Sequence, residues 1–330
     1  MQQDFFIDIC KTLSLGELQT PVAAVSGGYM HKMYRMETAQ GTYAVKLLNP
    51  SVMQRPDVFR NLHLAETLEQ ELQNAHIPIV PANIYNGEKM QCLQNQYFYV
   101  FDWLDGKALH DGAIKPKHCE IMGGILARIH GIPCDASVPP SETPTVDWDF
   151  YIRKSETDCP KIAKKLYAYR DLLYRRTENG ARALQNLPQE ACISNGDMDS
   201  KNVLWQAGKP YLIDLESLSY GNPHTELFQL ALCWAGYESC HLRYRRLEAF
   251  LRGYQSVCGE IQTDWELLYD SNIGSLLWLE YNLKRALKIE CADEAEQALG
   301  IGQVKESLQH VRYYQKIREP LLRHLNASFK

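Results

Sequence analysis

Apolar and polar positions along this chain follow two periods, a short alternating one early and a helical one later. Residues 4 to 13 place apolar side chains at helical spacing and predict a short helix packed on the sheet that follows. Residues 33 to 38 and 42 to 48 flank a turn at Gln40-Gly41 and read as two strands, entered through a bend at Gly27-Gly28. A helix is predicted over residues 56 to 75, and Tyr97-Phe98-Tyr99-Val100-Phe101 has the composition of a further strand. From there the helical period takes over. Residues 116 to 130 carry Ile121, Ile125 and Ile129 on one face, and residues 160 to 187 carry Ile162, Leu166, Tyr169, Leu172 and Leu173. Residues 133 to 149, rich in Pro, Ser, Thr and Asp, read as the loop between them. The last third predicts helices over 241 to 257, 264 to 288 and 303 to 319, the last with Val304, Leu308, Val311, Tyr314 and Ile317 in register and Pro320 ending or kinking it.

One stretch breaks the helical pattern. Val203-Leu204-Trp205 and Tyr211-Leu212-Ile213 flank Gly208-Lys209-Pro210 and read as a short hairpin. That hairpin brings Asn202 near Asp214, with Asp197 in the loop before it. Two acids and an amide form an oxygen-rich corner of the kind that holds hydrated Mg²⁺ beside phosphates. Phosphoryl transfer needs an acceptor hydroxyl placed in line, a group to take or orient its proton, and positive charge on the phosphate oxygens. Asp197 suits the proton, and Asn202 and Asp214 suit the metal. Each fragment taken alone also reads as an ordinary turn.

Asn195-Gly196-Asp197, Asn202 five residues after the Asp, and Ile213-Asp214-Leu215-Glu216 together resemble the paired signature of the aminoglycoside phosphotransferase and choline kinase superfamily. The resemblance extends through Ala44-Val45-Lys46, Ile77-Pro78, the run into Asp102-Trp103-Leu104-Asp105-Gly106, and Leu126-Ala127-Arg128-Ile129-His130, in the order the family has them. It implies an α+β, two-lobed protein-kinase-like fold: a small antiparallel-sheet lobe (1 to 101), a hinge (102 to 106) and a larger, mainly helical lobe (107 to 330). The implied activity is ATP- and Mg²⁺-dependent phosphorylation of a hydroxyl on a small molecule, with Asp197 as base and Asn202 and Asp214 as metal ligands. Lys46 would clamp the phosphates, Gly27 and Gly28 would close over the nucleotide, and backbone near Asp102 and Leu104 would meet adenine. Glu66, Glu69 and Glu71 all lie on the helix expected to orient Lys46, and Glu66 is the choice by its distance to Ile77-Pro78. The sequence departs from the family at Asn195, where His is usual, at Glu226, where an Asp braces the catalytic loop, and at His31, where Asn is frequent.

Composition narrows the remaining readings. With 40 Asp plus Glu against 35 Lys plus Arg, the net charge of -5 argues against nucleic acid as partner, and no dense acidic cluster marks a polycation site. A metabolic alcohol such as choline, an amino alcohol or a sugar is therefore as good an acceptor as an aminoglycoside. Glu216, Trp148, Trp278 and Tyr281, with Trp234, are candidates for its walls. The ten cysteines show no Cys-x-x-Cys pair and read as reduced thiols. The N-terminus lacks a signal-peptide pattern and no apolar run spans a bilayer, so a cytoplasmic location and no membrane partner are expected. The competing reading is a degenerate kinase fold that binds nucleotide or a protein partner without turnover, suggested by Asn195 and Glu226.

Overall fold

The alternating first third folds as a sheet covered on one face. The computed structural model describes residues 2 to 25, 31 to 134, 145 to 291 and 293 to 329; they belong to two compact units, Met1–Ala113 with Ile193–Ser219, and Ile114–Cys192 with Tyr220–Lys330. In the first, α1 (Gln2–Thr12) precedes β1 (Ala23–Val25), β2 (Lys32–Thr38), β3 (Gly41–Leu47), β4 (Gln91–Leu93) and β5 (Gln96–Asp102), which form one antiparallel sheet in the order β1-β2-β3-β5-β4. Period-2 alternation puts Tyr34, Met36, Val45, Phe98 and Val100 in a core with Phe6 and Ile9 of α1. Lys46 and Tyr99 face each other across the β3/β5 pair, one residue out of step with Val45 and Val100, so they point to the opposite face. Helices α2 (Pro50–Met53) and α3 (Val58–Asn74) follow β3, and α3 buries Leu62, Ala65, Leu68 and Leu72.

The expected hairpin is present. Of β6 (Lys107–Ala108), β7 (Cys192–Ser194), β8 (Val203–Gln206), β9 (Lys209–Leu212) and β10 (Ser219–Gly221), β8 and β9 pair with Val203 opposite Leu212 and Gln206 opposite Lys209. The two turn residues, Ala207 and Gly208, both have positive φ (48° and 77°), the backbone a two-residue hairpin of this twist requires. Residues 102 to 113 group with the first of these compact units. Lys107 and Ala108 pair with Trp205 and Leu204, and Leu212 exchanges backbone hydrogen bonds with Pro78 and Val80. Those bonds tie the hairpin, and with it residues 102 to 113, to the first unit.

The second unit is helical: α4 (Pro116–His130), α5 (Trp148–Asp158), α6 (Pro160–Gln185), α7 (Pro223–Trp234), α8 (Tyr244–Cys258), α9 (Trp265–Ser271), α10 (Gly274–Ala286) and α11 (Glu294–Ser328). Its core gathers Trp148, Ile162, Leu166, Leu173, Leu279, Leu283, Leu308 and Val311. Two expectations change here. The helix predicted over 264 to 288 breaks at Asn272, whose backbone leaves the helical region and whose carbonyl accepts from Arg176 Nη2 at 2.9 Å. The last helix starts nine residues earlier than predicted and continues through Pro320. Buried Leu321, Leu322 and Leu325 extend its apolar stripe, and that packing outweighs the hydrogen bond the proline removes. Among the described residues no helix is long and apolar enough to cross a membrane, and the ten cysteines are free.

Candidate active site

The loop before the hairpin is shaped by its own short side chains. Gly196 adopts φ 56°, a left-handed turn that glycine takes without strain and that turns the chain into Asp197. Asp199 then accepts from the backbone N–H groups of Lys201 (3.0 Å) and Asn202 (3.3 Å), closing a single 3₁₀ turn over Ser200–Asn202. Asn202 is buried, and its Nδ2 donates to the Asp197 carbonyl at 2.9 Å while its own carbonyl accepts from Ile213 N at 3.0 Å. With Nδ2 so engaged, the amide's acceptor oxygen is the atom left for a cation. Asn195 is buried in the family's histidine position, and its backbone and side-chain oxygens both accept from Ser217 Oγ (2.8 and 3.0 Å). An amide thus braces this loop from within the same unit.

Asp214 follows the hairpin with φ 63° and ψ 54°, a left-handed conformation unusual for a non-glycine residue. The 3₁₀ turn Leu215–Ser217 begins there and carries Glu216. Both carboxylates meet the buried Lys46 ammonium: Nζ donates to Asp214 Oδ1 and forms an ion pair with Glu216 Oε1. Burial favours neutral Lys46, yet Glu216 and Asp214 outweigh it and raise the lysine above its ordinary value. Burial also opposes charge on Asp214, but the Glu216 carboxyl and the Lys46 ammonium beside it hold it well below the usual carboxylate range. Glu216 goes the other way, pushed up to about 7 chiefly by burial. At Asp197 burial is again the leading influence and raises the carboxyl, with Lys201 pulling against it.

Asp197, Asn202, Asp214 and Lys46 all lie in the first unit, where Lys46 pairs with Asp214 and the Asn202 amide holds the Asp197 carbonyl. Asp214 and Asn202 offer carboxylate and amide oxygens, the hard donors that suit Mg²⁺ or Ca²⁺. Lys201 and Asp199 were not legible as site residues. Lys201 Nζ lies 3.4 Å from Asp197 Oδ1 and 2.9 Å from Asp199 Oδ2, and the only sequence signal for it is its position four residues after Asp197.

Other expected residues fall differently. Glu66 does not orient Lys46: its Oε1 accepts from the Tyr99 hydroxyl at 2.8 Å and its Oε2 lies 3.3 Å from His63 Nδ1. Glu69 pairs with Lys89 Nζ at 2.8 Å and accepts from Ala82 N, and Glu71 is exposed. Glu216, expected at the acceptor, is instead turned inward against Lys46. Trp148, expected as an acceptor wall, is a core residue with no exposed surface, its Nε1 donating to Thr177 Oγ1 at 3.0 Å. Trp234 is equally buried. Trp278 and Tyr281 are exposed and stacked, centroids 5.4 Å apart, on α10. Asp102 ends β5 with its carboxylate accepting from Asn83 Nδ2 at 2.9 Å, and the Leu104 carbonyl accepts from Gly106 N at 2.9 Å. Gly27 and Gly28 lie outside the described residues.

One further group of ligating side chains sits in the second unit. Donor atoms of His130, Cys192 and Glu226 lie within 4.8 Å of one another. They are engaged with protein: His130 Nδ1 meets the Tyr254 hydroxyl (2.9 Å), Nε2 meets Glu226 Oε2 (3.0 Å), and Cys192 Sγ donates to the Gly221 carbonyl (3.4 Å). Glu226 thus answers a histidine of its own unit.

The profile of the phosphotransferase enzyme family matches residues 21 to 259. A spectinomycin phosphotransferase in complex with ADP and spectinomycin shares the fold with a TM-score of 0.66 and 14% identity, over 99% of this chain and 98% of that one. An amicoumacin kinase in complex with AMP-PNP and Ca²⁺ gives 0.63 at 13% identity, covering 94% of each chain. An ethanolamine kinase from Plasmodium vivax gives 0.55 at 16%, over 89% of this chain and 83% of that one. No curated protein matches the sequence.

Proposed function

We propose a function from one premise: this chain belongs to the phosphotransferase enzyme family, as a small-molecule kinase with an alcohol group as acceptor. The reaction is transfer of the γ-phosphoryl group of ATP, with Mg²⁺, to a hydroxyl of an amino alcohol, a sugar or an aminoglycoside. The observation that carries this reading is the meeting of Asp197, Asn202, Asp214 and Lys46 in one unit, each with the chemistry its step needs. Asp197 takes the acceptor's proton; burial has already raised its affinity for one. Asp214 and the Asn202 amide oxygen hold the metal, which when bound neutralises charge on the phosphates. Lys46 contributes a fixed positive charge to the phosphates, kept ionised by its two carboxylates. Backbone at Asp102 and Leu104 is the proposed adenine contact, with Gly27 and Gly28 over the phosphates.

The relatives named above act on antibiotics and on an amino alcohol, so the acceptor test must span both. ADP release from Mg²⁺-ATP is measured with spectinomycin and other aminoglycosides, choline, ethanolamine, homoserine and common sugars. One class should stimulate release, and Asp197→Asn should lower the stimulated rate by about 10²-fold or more while nucleotide affinity is retained. Turnover that survives the substitution removes Asp197 as base. Nucleotide binding with no turnover across the panel favours the degenerate, non-catalytic reading instead.

A further inference from the structure

The lysine that meets phosphates in a kinase site needs a fixed carboxylate, and the helix beside the sheet is where the sequence suggests looking for one. Here that helix is committed elsewhere. Glu66 is held by the Tyr99 hydroxyl, Glu69 by Lys89 and the Ala82 N–H, and Glu71 faces solvent. Tyr99 is also the residue opposite Lys46 in the β3/β5 register, so its hydroxyl satisfies the α3 glutamate at the point where the lysine would reach for it. Lys46 pairs instead with the two carboxylates of the 3₁₀ turn after the hairpin.

Two carboxylates wait there, and they are not equivalent. The Asp214 side chain is 43% exposed, as a group open to a metal and its water should be. The Glu216 side chain is 18% exposed, and both of its oxygens are shielded from solvent, with the Lys46 ammonium and the Asp214 carboxyl as their charged neighbours. A carboxylate shielded from water stays charged only beside a positive group, and Lys46, itself 5% exposed, is that group. We propose that Glu216, in the turn after the hairpin, is the positioning residue for Lys46, in place of a glutamate from α3. The assignment of phosphates to Lys46 rests on the function proposed above; the pairing itself does not. One ammonium between two carboxylates leaves Asp214 free to exchange its partner for a metal while Glu216 keeps the lysine in place.

The test separates these two layers. Thermal melting of the protein without nucleotide is compared for Lys46→Met, Glu216→Gln, Glu66→Gln and the two doubles that contain Lys46→Met. Removing the lysine strands Glu216, so Lys46→Met should melt lower, and adding Glu216→Gln should recover about 3 °C or more of that loss. Adding Glu66→Gln should recover none. Glu216→Asp, which keeps the charge on a shorter stem, should melt between wild type and Glu216→Gln. ADP affinity is then measured by calorimetry. Glu216→Gln should weaken it about tenfold, and in the Lys46→Met background it should change it by less than about twofold, because the lysine through which it acts is gone. Recovery by Glu66→Gln rather than Glu216→Gln overturns the proposal, as does a tenfold loss that persists without Lys46. If wild type binds no nucleotide while the melting cycle shows the coupling, the pairing stands and the kinase reading falls.

Discussion

At the scale of single residues, the site is a set of side chains whose burial and charge pull in opposite directions. His31, the residue just before β2, shows this. Its Nδ1 accepts from Asn49 N at 3.0 Å, a bond only an unprotonated nitrogen can make, and Asn49 in turn caps α2. Burial, with the Lys46 ammonium adding to it, lowers His31 to about 4. The unfolded chain holds that proton near pH 6.5, so the neutral folded histidine contributes stability above that value and loses it as pH falls through 4. Melting temperature should therefore drop between about pH 6.5 and 4.5 more steeply in wild type than in His31→Asn, which offers an oxygen acceptor and no proton site. Equal slopes would mean that His31 does not stay neutral on folding. The same opposition explains what the sequence did and did not reveal here. Asp197, Asn202, Asp214 and Lys46 are legible because their spacing is local to one hairpin and one strand. The partner of Lys46 is not, because Glu66 and Glu216 are both acids at plausible distances. Only the Tyr99 hydroxyl and the direction of a 3₁₀ turn decide between them.

At the scale of elements, apolar period gave the helices and lost their ends. The stripe over 116 to 130 matches α4, since Pro116 starts it and Gly131 follows it. The break between α9 and α10 was invisible because it depends on Arg176, almost a hundred residues earlier, reaching the Asn272 carbonyl. Nor does period alone show how closely two helices cross. On α4 and α8, a Cβ at Gly123 would lie 1.9 Å from the Phe250 carbonyl oxygen, and one at Gly253 would lie 2.0 Å from that of Glu120. Both obstacles are backbone, so neither can swing aside. Gly123→Ala should cost about 3 kcal/mol or more, or fail to fold, because the helices must separate to admit the methyl. Gly302→Ala on α11 makes the opposite change: it is exposed in a helix interior with no atom within 4 Å of the added Cβ. It should gain about 0.5 to 1 kcal/mol from the entropy glycine loses on folding. Chemical denaturation of the two variants side by side checks both signs, and a Gly123→Ala protein as stable as wild type would show that the helices do not approach this closely.

At the scale of the whole molecule, the proposed ligands should act as stabilisers whose contributions can be dissected. A ligand at a hundred times its Kd adds about 2.7 kcal/mol to the folded state, and in a chain of this size that is a rise of several degrees in melting temperature. ATP or ADP alone should give part of that rise. Mg²⁺ should give more when added with nucleotide than alone, because Asp214 and Asn202 supply too few ligands to hold a hard dication without phosphate oxygens. A chelator should remove the metal-dependent increment and leave the nucleotide part. The variants then assign the increments to residues. Asp214→Asn replaces a charged ligand by a neutral one and should lose the metal increment while keeping most of the rise from nucleotide alone. Asp197→Asn touches neither ligand and should keep both. If Asp214→Asn retained the metal increment, the cation would have to be held by other groups. The pairing of Lys46 with Asp214 would then be its working arrangement and not one that metal binding dissolves.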